Sequence, residues 1–147
     1  MVRFKNRYLL CEIIFENGKI SESLNLYQIL NAIKESLSTN FGVFGLGVLA
    51  ISLQVKYFNP FTGLAIVRVN RDYMRLVWAC VSLITAINKR ICMVKVVHVG
   101  GTIKLVQSQA IKYNQTIISR LRSDLVLSDA KANLLLQETV AEISTLD

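Results

Sequence analysis

Residues Leu53–Asn70 read LQVKYFNPFTGLAIVRVN, and their reading decides the fold. From Val48 to Phe58 the chain alternates. Leu49, Ile51, Leu53, Val55 and Tyr57 share one side, and Ser52, Gln54 and Lys56 the other. A period of two is the mark of a strand with one buried face. Asn59-Pro60-Phe61-Thr62-Gly63 then supplies turn residues, and Leu64–Val69 returns as a second strand. Such a loop sets Phe58 against Leu64, Val55 against Val67 and Gln54 against Arg68. In that register Ala65, Val67 and Val69 join the core side, and Arg68 stands with Gln54 and Lys56 on the more polar side.

Outward from this hairpin the pattern changes to a helical one on both sides. Upstream, Asn25 is placed to cap a helix with apolar residues at Leu26, Ile29, Leu30, Ile33 and Leu37, ended by Gly42, Gly45 and Gly47. Before it, Arg7–Phe15 is apolar on both faces, as a central strand is, and Glu16–Lys19 is a turn. Downstream, Asn70 caps a second helix over about Arg71–Asn88, with Tyr73, Leu76, Val77, Cys80, Leu83, Ile84 and Ile87 as its stripe. Met93–Val99 is a fourth strand, Ile103 to about Arg122 a third helix, and Ser128 the cap of a last one. The order strand, helix, strand, strand, helix, strand predicts an α+β ferredoxin-like/RRM-like sandwich (β-α-β-β-α-β). Its four-stranded antiparallel sheet would carry both main helices on one face. Residues 1–123 form this domain with the third helix, and 124–147 an acidic C-terminal helix or tail.

The totals fit one such domain. The chain has 147 residues, 52% hydrophobic and 18% charged, with a single proline, which excludes a disordered chain. The longest uncharged apolar run, Leu76–Ile87, is short of the roughly 20 residues that span a membrane and reads as a buried helix. At the start, basic residues precede an apolar run as in a secretory leader, but Glu12 and Glu16 interrupt it and no cleavage site follows. Cys11, Cys80 and Cys92 form no close pair and, with one histidine, no zinc site; reduced thiols in a cytosolic or nuclear protein are expected. Net charge is +7 and unevenly spread. Residues 1–123 hold 16 Lys+Arg against 5 Asp+Glu, and residues 124–147 hold 1 against 5. A basic body implies either a polyanionic partner, through counterion release, or a device for solubility.

Catalytic signals are absent. No Ser-His-Asp or Cys-His set can be assembled around His98, and the ten carboxylates show no DxD or ExxE spacing. Gly42-Val-Phe-Gly45-Leu-Gly47 follows a helix and precedes a strand, the reverse of a dinucleotide loop, and reads as chain reversal. HVGGTIK (His98–Lys104) has two readings: backbone amides and Lys104 around a phosphate, or a tight turn with Thr102 as N-cap. An RRM stacks bases on sheet aromatics, but LAIVRVN has none of the RNP1 aromatics and YLLCEI does not supply the RNP2 pattern. Its uncovered face, apolar through Leu64, Ile66 and Leu9, is expected to meet another protein.

MVRFKNRYLLCEI at the start, LQVKYFNPFTGLAIVRV on the hairpin, RDYMRLVW after it and HVGGTIK before the third helix stand together. As a set, from Met1 to about Tyr113, they resemble the small Pop-five (processing of precursor RNA) family of archaeal and eukaryotic ribonuclease P and RNase MRP. The resemblance implies a non-catalytic protein that braces a catalytic RNA during 5′ maturation of precursor tRNA, or rRNA processing in MRP. It implies no cofactor on the protein, catalytic Mg²⁺ in the RNA, a TIM-barrel-like protein partner among other particle proteins, and only indirect contact with precursor tRNA. It further implies no membrane and a nuclear, often nucleolar, location in eukaryotes. Matched to the family's motifs, the expected RNA-binding residues are Arg3, Lys5, Arg7, Lys56, Tyr57, Arg68, Gly100, Gly101, Thr102 and Lys104. Arg3, Lys5 and Arg7 would act as an extended phosphate-binding arm; otherwise they are a charged strand edge that discourages aggregation. The rivals are a ferredoxin-like ligand-binding or enzyme domain unrelated to RNA, and a protein scaffold with incidental charge.

Overall fold

The computed structural model describes residues 5–16, 24–49, 52–124 and 128–146. The elements are β1 (Asn6–Phe15), α1 (Leu26–Leu49), β2 (Gln54–Phe58), β3 (Leu64–Asn70), α2 (Met74–Ser82), β4 (Ala86–Ile87), β5 (Arg90–Gly100), α3 (Ile103–Ser123) and α4 (Asp129–Ser144). A 3₁₀ turn, Arg71–Tyr73, leads into α2. The sheet is antiparallel in the order β2-β3-β1-β5-β4, so the doubly apolar first strand lies in the middle. Leu9, Cys11 and Ile13 face α1 and α2, where they join Ile29, Ile33, Leu37, Val77, Cys80 and Val81. Leu10 and its neighbours Leu64 and Ile66 face the other way.

That second face corrects two expectations. Leu64 and Ile66 are covered by Val106, Ala110 and Ile117 of α3 and by Ile143 of α4, and Leu9 belongs to the opposite core. Gly100 explains how closely α3 seats itself: a Cβ there would stand 2.6 Å from Val106 Cγ2. The acidic segment expected as a helix or tail is a packed helix. Ala132, Leu135, Thr139 and Ile143 of α4 are buried against α3. Asn114 Nδ2 donates to Thr139 Oγ1 at 2.7 Å, and Gln107 Nε2 to the carbonyls of Ile143 and Leu146.

Among the described residues the sheet has five strands, where four were expected. The second helix ends at Ser82, and the chain then turns back through Ala86–Ile87. Asn88 and Lys89 both take positive φ (55° and 64°), the geometry of a two-residue hairpin, and Arg90–Gly100 forms a strand longer than expected. Upstream, the expected strand from Val48 begins only at Gln54, because α1 runs to Leu49 across a break at Gly42. Phe41–Leu53 is almost wholly apolar or glycine, so helical and strand periods fit it equally.

The hairpin keeps Gln54 against Arg68 and Val55 against Val67, but a bulge at Lys56 shifts the rest. Tyr57 then opposes Ile66 and Phe58 opposes Ala65, instead of Leu64. One extra residue turns Tyr57 over to the α3 side, where it is 5% exposed. The turn closes on β1: Ile13 N–H donates to Gly63 O at 2.8 Å, and Gly63 has φ +72°.

Candidate nucleic-acid interface

β1 begins where β3 and β5 end. Asn6 pairs with Asn70, Arg7 with Val69 and Tyr8 with Gly100, so three chain segments meet at one rim of the sheet. The Arg71 N–H donates to Lys5 O at 2.9 Å and ties the arm to the turn that follows β3. Asn70 Oδ1 accepts from the Asp72 N–H at 2.9 Å, which shapes that turn. The Arg7 guanidinium donates to its neighbour's carbonyl, Asn6 O, at 2.9 Å and lies beside Gly101.

Across the rim, Thr102 Oγ1 accepts from the Leu105 N–H at 3.3 Å and caps α3. The first turn of α3 has no acidic residue, its leading amides have no intrahelical acceptor, and Lys104 is exposed beside them. Lys5, Arg71 and Lys104 are all exposed, and Asp72 is the one described carboxylate in these segments. Arg71 Nε stands 3.9 Å from Asp72 Oδ1, a solvent-exposed pair that does little to neutralise the rim. Such a surface offers cations and backbone donors together, which suits phosphate oxygens.

Of the residues expected from sequence, Lys5, Arg7, Gly100, Gly101, Thr102 and Lys104 come together here. Arg68 lies one strand across, opposite Tyr8, its Nε buried without a hydrogen-bond partner among the described residues. Lys56 is farther off, at the bulge of the edge strand β2. Tyr57 lies inside the core, where burial raises the pKa of its phenol, so it offers no surface. Gly100 is buried as well, and its lack of a side chain serves the packing of α3. Arg3 falls outside the described residues. Arg71 was not among the expected residues. Its signal was available: once residues 6 and 70 pair, residue 71 must stand beside residue 5.

At the opposite end Glu12, 4% exposed, is committed to structure. Tyr113 donates its hydroxyl hydrogen to Glu12 Oε2, and Arg120 Nη1 lies 3.4 Å from Oε1. The cleft beside it, lined by Phe61, Thr62, Ile117 and Leu121, thus holds a carboxylate already engaged by α3. Among the described residues no three His, Cys, Asp or Glu side chains group to hold a metal ion. The three cysteines are buried and free.

Comparison with known proteins adds an independent line. The model of the family described as "Rpp14/Pop5 family" matches residues 7–111. The Mus musculus protein named "Ribonuclease P/MRP protein subunit POP5" is 31% identical, over 98% of this chain and 93% of its own length. The proteins of the same name from Schizosaccharomyces pombe and Homo sapiens are 37% and 33% identical, covering 82% and 78% of this chain and 94% and 73% of theirs. A chain in the cryo-EM structure of yeast ribonuclease MRP superposes with a TM-score of 0.58 at 12% identity, covering 79% of this chain and 95% of that one. At that identity the likeness concerns the fold alone.

Proposed function

Because this chain belongs to the Rpp14/Pop5 family, we propose that it is a protein subunit of a ribonuclease P/MRP particle that grips RNA by its sugar–phosphate chain. The observation that carries this reading is the convergence of Lys5, Arg7, Arg71 and Lys104 with the start of α3 on one rim. The strand order β2-β3-β1-β5 supports an RRM-like core, with β4 as an added edge. Where an RRM exposes aromatics, this chain seats α3, so base stacking on the open sheet is closed to it and the rim is left for contact. The cut is made by the RNA with its own Mg²⁺, on precursor tRNA or precursor rRNA. A TIM-barrel-like subunit and other particle proteins are its companions, and in a eukaryote its place is the nucleus and nucleolus. A ligand-binding enzyme would need convergent, unspent polar groups in a pocket, and Glu12 is already engaged.

The test is purification of the particle through a tag on this chain in its own cells. Ribonuclease P or MRP RNA should be recovered, together with cleavage at the 5′ end of precursor tRNA that disappears when the RNA is digested. Cleavage by the RNA-free chain would overturn the proposal, and so would a particle without RNA.

A further inference from the structure

β5 is paired along only part of its outer side. β4 covers Arg90 and Ile91, and the Cys92 N–H donates to Thr85 O at 2.9 Å. From Met93 to Val99 no described strand lies against that edge. Backbone groups alternate sides along a strand, so the outward N–H of Cys92 makes Val94 and Val96 the next residues pointing away from β1. Among the described residues no strand pairs with their amides and carbonyls, which form an open ladder.

The side chains beside that ladder are equally uncovered. On the α3 face, Ile91 and Met93 are 61% and 56% exposed, with Ile14 at 36% next to Met93. Cys92 and Val94, pointing to the other face, are buried at 7% and 6%. The helices thus stop short of one aliphatic corner. Lys95, next along the same face, makes no ion pair with a described residue. Residues 86–100 carry Lys89, Arg90 and Lys95 and no carboxylate.

We propose that the free edge of β5 accepts an extended segment of another protein as an added strand, with an aliphatic residue against Met93 and a carboxylate against Lys95. Main-chain bonds to Val94 and Val96 would hold it over about five residues. RNA fits poorly here: phosphate oxygens only accept, which leaves the outward carbonyls unmatched, and aliphatic side chains offer bases no stacking surface. A second copy paired antiparallel along this edge would bring Lys95 up against its own counterpart. The inference rests on the subunit reading only for where the partner is found.

The tagged particle decides both. Hydrogen exchange at Val94 and Val96 should be about tenfold slower in the particle than in the free chain. Lys95→Glu should restore the faster rate while the RNA is still recovered. A photoreactive phenylalanine analogue in place of Met93 should crosslink to a protein segment that alternates aliphatic and acidic residues. Adducts with RNA or with a second copy would overturn the proposal, as would unchanged exchange in a complex that holds this chain. Loss of the RNA alone would strike the subunit reading instead, since exchange at the two amides is read separately.

Discussion

Removing Lys5, Arg71 and Lys104 together, each to alanine, should flatten the salt dependence of RNA binding. All three side chains are exposed and make no contact the fold needs, because the Lys5–Arg71 bond is main chain. Each phosphate contact contributes roughly 0.7 to 0.9 to the slope of log affinity against log salt, so three contacts remove about 2 to 2.7. Over a fourfold rise in salt, the unmodified chain should lose roughly 16- to 40-fold more affinity than the variant. Fluorescence anisotropy with labelled RNA, titrated at several salt concentrations, reads this directly. The control removes the same charge from Lys34, Lys89 and Lys131, which lie on α1, the β4–β5 turn and α4. Equal flattening by both triples would mean that net charge alone attracts RNA. An unchanged slope in the rim variant, with its melting temperature intact, would remove the rim from the interface.

Three further outcomes test the fold. Gly63→Ala should cost about 2 kcal/mol or more in urea unfolding, since φ is +72° and the new Cβ would lie 2.5 Å from Ile13 O; an unchanged midpoint would contradict the close approach. Ile143→Ala should cost about 2–5 kcal/mol, because the side chain is fully buried between α4 and the sheet, and a loss below measurement would make α4 dispensable. Burial pushes the Cys11 thiol up to about 12 and Cys80 to about 11, from an ordinary 9.0. The unfolded thiols ionise first, so this contribution is intact below pH 9.0 and drains away as pH climbs toward 11 and 12. Urea midpoints should therefore fall across that window, and a rise would contradict the burial.

Much of this was legible in the residues. Alternating or doubly apolar runs marked β1, β3 and most of β5, and Thr102 and Ser128 marked the starts of α3 and α4 through local hydrogen bonds to Leu105 and Lys131. The bulge at Lys56 was hidden, because a one-residue slip leaves the alternation intact on both sides and only tertiary packing shows which face Tyr57 takes. β4 was hidden for a related reason: Leu83–Ile87 fits a helical stripe, and Asn88-Lys89 lacks the glycine that usually announces so tight a reversal. Which face α3 covers is a long-range matter that no local pattern holds. The rim was half visible. Motifs placed Lys5, Arg7 and Lys104, whereas Arg71 emerges only when β1 is laid against β3.

β1 is synthesised ahead of every described element that encloses it. Tyr8 needs both Arg68 and Gly100 as neighbours, and Leu10 needs α3, whose residues are synthesised later still. Contacts so distant along the chain form slowly, because long loops must close before any of them is rewarded. A growing polypeptide therefore leaves the ribosome with this apolar strand bare on two sides. Newly made molecules of this protein should depend on chaperones until the third helix emerges, and truncations that stop before Ile103 should aggregate during translation.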